Sequence, residues 1–400
     1  MNSKERFKSI ANFERKNDPS FFGLFGWVGT FKRWVNEGMP VKNLDNAKEI
    51  NMHLLGYQDQ NHESIIPSAG LTGMGPLLNP PWVPPIYPMF ETIVLKDEGE
   101  NIVKVDYDGA IVKVRKDDPQ AMPQWLEYPV KDKKTWEEYK KRLNPFSAGR
   151  WPEGWQIMTD DKLQWPIRAG QENKSFEERD FPLGMWAFSL MGCPRNYMGL
   201  ENFSIAIYDD INLIIDMFET QTYLSYEMIK KVFKSGITID WAWIWEDIAY
   251  KNGPLISPNF IKKYTVPHYK KIAELLRNNG VTSIILDCDG NMEELIPIWL
   301  DCGINTIFPL ERASNMDAIE LRKKYAKNLI IIGNVDKRNL AKGKKEIDYE
   351  VMRIKELIKY GGYFPGCDHH IPPDVSYENI LYFLNEVHKL SEYKEYRRII

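Results

Sequence analysis

Short apolar runs alternate with longer amphipathic stretches through the C-terminal half of the chain, and that rhythm predicts most of its elements. The runs "FPLGMWAFS" (181–189), "ITIDWAWIW" (237–245), "VTSIILDCDG" (281–290), "INTIFPLE" (304–311), "LIIIGNVD" (329–336) and "GGYFPGCDHH" (361–370) read as buried strands. Helical spacing fills the intervals at 205–235, 257–279, 291–302, 315–327, 346–360 and 376–392, with Ser257 as N-cap and Pro258 opening the second of these. Strands separated by helices of this length imply βαβ units and a parallel sheet. A long succession of such units without a G-x-G-x-x-G phosphate loop favours a closed (β/α)8 TIM-type barrel over a doubly wound sheet.

The N-terminal part reads differently. Residues 3–15 form a helix opened by Ser3, "FFGLFGW" (21–27) a buried strand, and "FKRWVNEGMP" (31–40) a helix closed by Gly38 and Pro40. The Pro-rich stretch 66–88 is too poor in N–H donors for a helix or central strand, so it reads as a lid or pocket-lining loop. Residues 91–117 show apolar alternations broken by "DEGEN" and "DYDG", the pattern of an antiparallel β-meander standing on the main fold. The expectation is one domain over 1–400, carrying a loop-and-meander insertion at 66–130. The pattern leaves the eighth barrel strand unmarked.

Composition narrows the function classes. With 43% hydrophobic and 27% charged residues the chain has ample material for a globular core. A net charge of −4 gives no basic excess for nucleic acid or an anionic membrane surface. Cys193, Cys288, Cys302 and Cys367 form no CxxC and no disulfide framework. The N-terminus lacks the apolar core of a signal peptide and no 18-residue apolar run occurs, so a cytoplasmic protein without a membrane span is expected. Thirteen Trp, 20 Tyr and 18 Phe supply either a large aromatic core or the walls of a pocket for a flat, apolar ligand.

In a TIM-type barrel chemistry gathers at the C-terminal ends of the strands. Those ends read Trp245-Glu246-Asp247, Asp287-Cys288-Asp289, Glu311-Arg312, Asn334-Val335-Asp336-Lys337 and Cys367-Asp368-His369-His370. Asp287 and Asp289 admit two readings: caps for a helix starting near Asn291, or metal ligands. D-x-D-G after an apolar strand also resembles the haloacid-dehalogenase phosphatases, which however begin their fold with that strand. Asp287, Asp289, Cys367, His369 and His370 make a candidate zinc set, with Glu311 beside it; solvent exposure is the plainer reading of the His pair. Trp241, Trp243 and Trp245 share one strand face, as core or as a stacking wall. Lys32, Arg33, Arg195 and Arg312 are candidates for clamping an anionic substrate, and His268 reads as structural.

Four longer stretches carry a resemblance: "NSKERFKSIANFERKNDP" (2–19), "WEDIAYKNGPLISPNFIKKYTVPHYKKI" (245–272), "GNVDKRNLAKGKKEID" (333–348) and "GGYFPGCDHHIPPDVSYENILYF" (361–383). They resemble the uroporphyrinogen decarboxylase superfamily, which implies a (β/α)8 barrel with its site at the mouth. That superfamily holds the porphyrinogen decarboxylase and cobalamin-linked methyltransferases. The decarboxylase's R-Q-A-G-R motif has no counterpart in "FFGLFGWVGTFKRW". The methyltransferase branch binds zinc through His-x-Cys and a late Cys, and Asp287, Asp289 and Cys367 fall on or near those positions.

The resemblance therefore implies a methyltransferase component, metal-assisted, moving a methyl group between a small substrate and a corrinoid protein. Cobalamin belongs to that partner, since this chain has no D-x-H-x-x-G motif. Carboxylates in place of softer ligands favour a more Lewis-acidic Zn2+ and an oxygen leaving group, as in O-demethylation of a methyl ether, and the aromatic content motivates a methoxylated aromatic compound as substrate. On this reading Asp287, Asp289, Cys367 and His369 or His370 hold the metal, and Glu246, Glu311 and Asp289 are the catalytic groups. Trp241, Trp243, Trp245, Trp82, Tyr87, Arg195 and Arg312 contact substrate. The alternatives are a metal-free decarboxylase or lyase, which needs converging cations, and a non-catalytic ligand-sensing barrel, whose strand-end carboxylates are paired. A homodimer is among the open oligomeric states.

Overall fold

Runs of β-branched and aromatic residues form the strands of the main sheet, where both of their faces meet apolar neighbours. In the computed structural model, which describes residues 1–21, 26–39, 77–78, 85–117, 122–151, 179 and 182–392, this happens around a single interior. The strands are β1 (Leu77–Leu78), β2 (Ile93–Asp97), β3 (Asn101–Val105), β4 (Ile111–Arg115), β5 (Gln124–Glu127), β6 (Gly184–Phe188) and β7 (Trp241–Trp245). They continue with β8 (Ala249–Tyr250), β9 (Gly253–Pro254), β10 (Ser283–Asp287), β11 (Thr306–Phe308), β12 (Ile330–Ile332) and β13 (Tyr363–Phe364). One sheet runs β1-β6-β7-β10-β11-β12-β13, and every neighbouring pair in it is parallel. Beyond β13 a parallel bridge joins Gly26 to Ile371 and supplies an eighth strand position. The architecture is the (β/α)8 TIM-type barrel that the sequence implies.

Strand parity separates two cores. Trp241, Trp243, Ile285, Phe308, Ile330, Ile332 and Phe364 point inward and form one buried cluster. Their chain neighbours Ala242, Ile244, Ile284, Leu286, Ile307, Ile331 and Tyr363 point outward and pack under the surrounding helices. The helix Ser3–Ala11 plugs the amino-terminal end of the barrel: Phe7, Ile10, Ala11 and Phe13 complete the inner cluster. Phe7 stacks on Phe364 at 5.6 Å, and Lys8 reaches Asp240 at 3.3 Å. Gly184 has no side chain because a Cβ there would fall 2.1 Å from the Trp241 ring.

Several expected boundaries shift. Asn2, not Ser3, caps the first helix, in a capping box with Glu5. Ser257 occupies its N-cap position without a side-chain bond, and the helix it opens divides at Thr265 into Pro258–Tyr264 and Val266–Asn278, because Pro267 has no N–H to continue the first ladder. The expected helix at 291–302 begins only at Ile296, with Pro297 in its first turn. Within the Pro-rich stretch the structure places a barrel strand, β1, on the two leucines that separate its prolines. The expected meander is present as the antiparallel sheet β2-β3-β4-β5, one strand longer than the sequence pattern marks. It rests beside the helix Gly192–Met198, where the Tyr139 hydroxyl donates to the Asp108 carbonyl (3.1 Å) and the Val130 amide to the Tyr197 carbonyl (3.0 Å). No helix among the described residues is long and apolar enough to cross a membrane.

Candidate active site at the carboxyl ends of the strands

The register of the two central strands decides which side chains meet. Asp287 pairs with Trp245 across β10 and β7, so both chains leave the sheet together. Two residues on, Asp247 and Asp289 emerge on the same inner phase. Asp247, Asp287 and Asp289 each present a carboxylate oxygen within 4.8 Å of the others. Asp247 adopts a left-handed backbone (φ 47°), which Asp tolerates better than most residues. Its Oδ1 accepts the Asp289 amide at 3.1 Å.

Tryptophans line this group. Trp243 Nε1 donates to Asp287 Oδ2 at 2.9 Å, and Trp245 Nε1 to Asp247 Oδ2 at 3.0 Å. Trp186 and Phe308 flank Trp243 at centroid distances of 5.7 and 5.3 Å. Arg195 lies over the Trp245 ring at 5.1 Å and donates to the Asp247 carbonyl. From the last strand end, His369 Nε2 stands 3.4 Å from Asp289 Oδ2, and His370 stacks on Trp27 at 4.7 Å.

The electrostatics follow from putting like charges together in a poorly hydrated place. Burial pushes the Asp287 carboxyl well above the usual carboxylate range, and the charges of Asp247 and Asp289 push the same way. Asp247 is raised too, by burial and by Asp289. Burial pulls His369 down, but its bond to Asp289 and that carboxylate's charge outweigh it, so the imidazole gains affinity for a proton. His370, buried beside His369, drops to about 4.

The remaining expected residues have other tasks. Glu246 falls on the outward phase, fully buried, where it accepts the amides of Leu190, Met191 and Gly192 at 2.8, 2.7 and 3.0 Å; it does not face the mouth. Glu311 lies at the rim, accepting the Gly290 amide (3.0 Å) and facing Lys337 (3.6 Å). Cys367 is bridged to Val335, its thiol pushed far up by burial, and it is not among the three clustered ligands. Arg312 turns away to Asp317 (2.6 Å) and the Met316 carbonyl. Trp241 lies at the floor, fully buried in the inner core. Tyr87 packs at the base of the meander, its amide on the Arg142 carbonyl (2.7 Å) and its ring 5.7 Å from the Arg150 guanidinium. Trp82 lies outside the described residues.

The helix-cap reading of Asp287 and Asp289 does not survive, since the next helix starts at Ile296. Nor do the expected cations converge: Arg33 binds Glu37 and the Pro373 carbonyl, Lys32 is exposed, and Arg195 and Arg312 are engaged as above. Asp247, Trp27 and Trp186 stand in or beside this group, and Lys337 pairs with Asp368 at 3.6 Å next to Glu311; the sequence pattern does not single these five out as candidates. For Asp247 the signal was available, because it shares the parity of Trp241, Trp243 and Trp245 whereas Glu246 does not.

As a metal site, three carboxylates with an imidazole beside them fit a divalent cation held mainly by oxygen. They do not make a thiolate-rich zinc centre.

A family model described as uroporphyrinogen decarboxylase (URO-D) matches residues 187–390, just over half of the chain. No curated protein sequence matches. Among solved structures, a methyltransferase from Methanosarcina mazei superposes with a TM-score of 0.54 at 13% identity, covering 97% of this chain and 99% of that one. The likeness is one of fold over the full length. A B12-independent methionine synthase from Shewanella sp. W3-18-1 covers 53% of this chain and 62% of that chain at 11% identity, and its TM-score of 0.36 carries no argument.

Proposed function

We propose that this chain, which belongs to the uroporphyrinogen decarboxylase family, is a metal-assisted methyltransferase component that moves a methyl group between a small methoxylated aromatic substrate and a corrinoid-bearing partner protein. One observation carries the reading: three carboxylates converge at the barrel mouth against the indole edges of Trp243 and Trp245, and among the described residues Arg195, 3.9 Å from Asp247, is the arginine that pairs with them. A many-carboxylate substrate is disfavoured by that charge; a divalent cation and a flat neutral ring are favoured.

Asp247, Asp287 and Asp289 hold the cation in this reading, with His369 beside them. When bound, such an ion supplies Lewis acidity toward an ether oxygen. The chain's own groups do the rest. Trp243 and Trp245 wall the ring and exclude water. The methyl group passes to the nucleophilic acceptor on the partner protein, which supplies the electron pair of the new bond; the pair of the broken methyl–oxygen bond stays on oxygen, which takes up a proton. His369, whose Nε2 lies 3.4 Å from Asp289 Oδ2, is the group assigned to hold that proton in this reading.

The test is release of the phenol product from methoxybenzenes and methoxyphenols, followed chromatographically with reduced free cobalamin as acceptor. Phenol release that depends on enzyme and on added divalent cation is the expected outcome. Absence of release across the panel, from protein that binds the cation, overturns the substrate class.

A further inference from the structure

Glu246 is a strand-end carboxylate that faces away from the mouth, and its surroundings are unusually complete. It is fully buried and both of its oxygens are engaged: Oε1 by the Leu190 amide at 2.8 Å, Oε2 by the Met191 and Gly192 amides at 2.7 and 3.0 Å. Three consecutive amides closing on one carboxylate fix a turn as firmly as a helix cap does. That turn follows β6 and opens the helix Gly192–Met198, which carries Arg195. Arg195 returns across the Trp245 ring at 5.1 Å and donates to the Asp247 carbonyl. Gly192 permits the approach, because a Cβ there would lie 2.8 Å from the Trp245 ring. Glu246 is thus flanked in sequence by two site residues and tied in space to the segment that packs on both.

We infer that Glu246 is a positioning residue for the site: it locks the 190–192 turn so that Arg195 and Gly192 hold Trp245 and the left-handed Asp247 in register with Asp287 and Asp289. The inference rests on the cation-site reading only for its functional consequence, not for its geometry. Replacing Glu246 by Gln keeps size but presents an NH2 group to three N–H donors, so at least one amide loses its acceptor and the turn must shift. The disturbance runs through Arg195, which makes the two residues one unit whose effects do not add.

The test uses full-length protein labelled with 5-fluorotryptophan, the Trp245 resonance being assigned by Trp245→Phe. In Glu246→Gln the Trp245 resonance moves or broadens, while those of Trp34 and Trp299, buried elsewhere, stay in place. Arg195→Met moves the same resonance, the double variant moves it no further, and Glu246→Asp, which keeps the charge on a shorter arm, lies between wild type and Gln. An unmoved Trp245 resonance in folded Glu246→Gln protein overturns the inference. So does equal movement of Trp34 and Trp299, which marks general loosening, and so do additive effects with Arg195→Met. Should Glu246→Gln not fold, the Asp variant decides by the same signals. In parallel, Mn2+ titration separates the two readings. Wild type that binds Mn2+ while Glu246→Gln binds about tenfold or more weakly supports both. Wild type that binds no Mn2+ removes the cation site, and the fluorine spectra still decide the role of Glu246.

Discussion

Asp287 is the residue on which the site's energetics turn. It lies deep, accepts a bond from Trp243, and faces two further carboxylates, so its pKa is raised by burial and by Asp247 and Asp289. A carboxylate whose folded pKa exceeds its unfolded value favours folding below the unfolded pKa, and that advantage is lost as pH rises through the folded one. At neutral pH the cation-free protein therefore carries a cost that Asp287→Asn removes, the amide oxygen still accepting from Trp243. We expect the variant, in chelator, to melt above wild type at pH 7.5, by roughly 2 °C per kcal/mol recovered. The gap should close as pH falls toward the usual carboxylate range. A variant that melts below wild type at every pH contradicts this picture. The pair Asp287 and Asp289 was legible in the sequence because alternating carboxylates at the end of an apolar run have few uses. Cys367, by contrast, read as a ligand from residue type and from its place in the family resemblance, whereas it is buried, which sequence does not display, and lies outside the clustered carboxylates.

At the scale of elements, the strands with long apolar runs were the readable ones. β1 was hidden because only Leu77 and Leu78, set among prolines, form it, and its partner β6 lies more than a hundred residues away. The two-sided burial of the barrel also explains why the Trp run on β7 could be read as core or as wall. Trp241 is core, while Trp243 and Trp245 reach the carboxylates. The helix Ser3–Ala11 has the clearest mechanical role, since it closes the end opposite the site. Phe7→Ala should lower stability by about 3–5 kcal/mol in urea unfolding, the cost of emptying a fully buried ring site, without changing divalent-cation affinity. A loss under about 1 kcal/mol, typical of surface positions, places the helix outside the cooperative core.

For the molecule as a whole, the barrel fixes the polarity of every part: an apolar plug at the amino-terminal end, acids and indoles at the carboxyl-terminal mouth, and the meander β2–β5 beside the helix that carries Arg195. The central claim is that this mouth binds a divalent cation through Asp247, Asp287 and Asp289. The most direct measurement is calorimetric titration of chelator-stripped protein with Zn2+ and Mn2+. One equivalent should bind to wild type and to Cys367→Ser with affinities within about twofold, since that thiol lies outside the cluster, and binding should be lost in Asp289→Asn protein that retains its fold. Wild type that binds no cation, or Asp289→Asn protein that binds as tightly as wild type, contradicts the account.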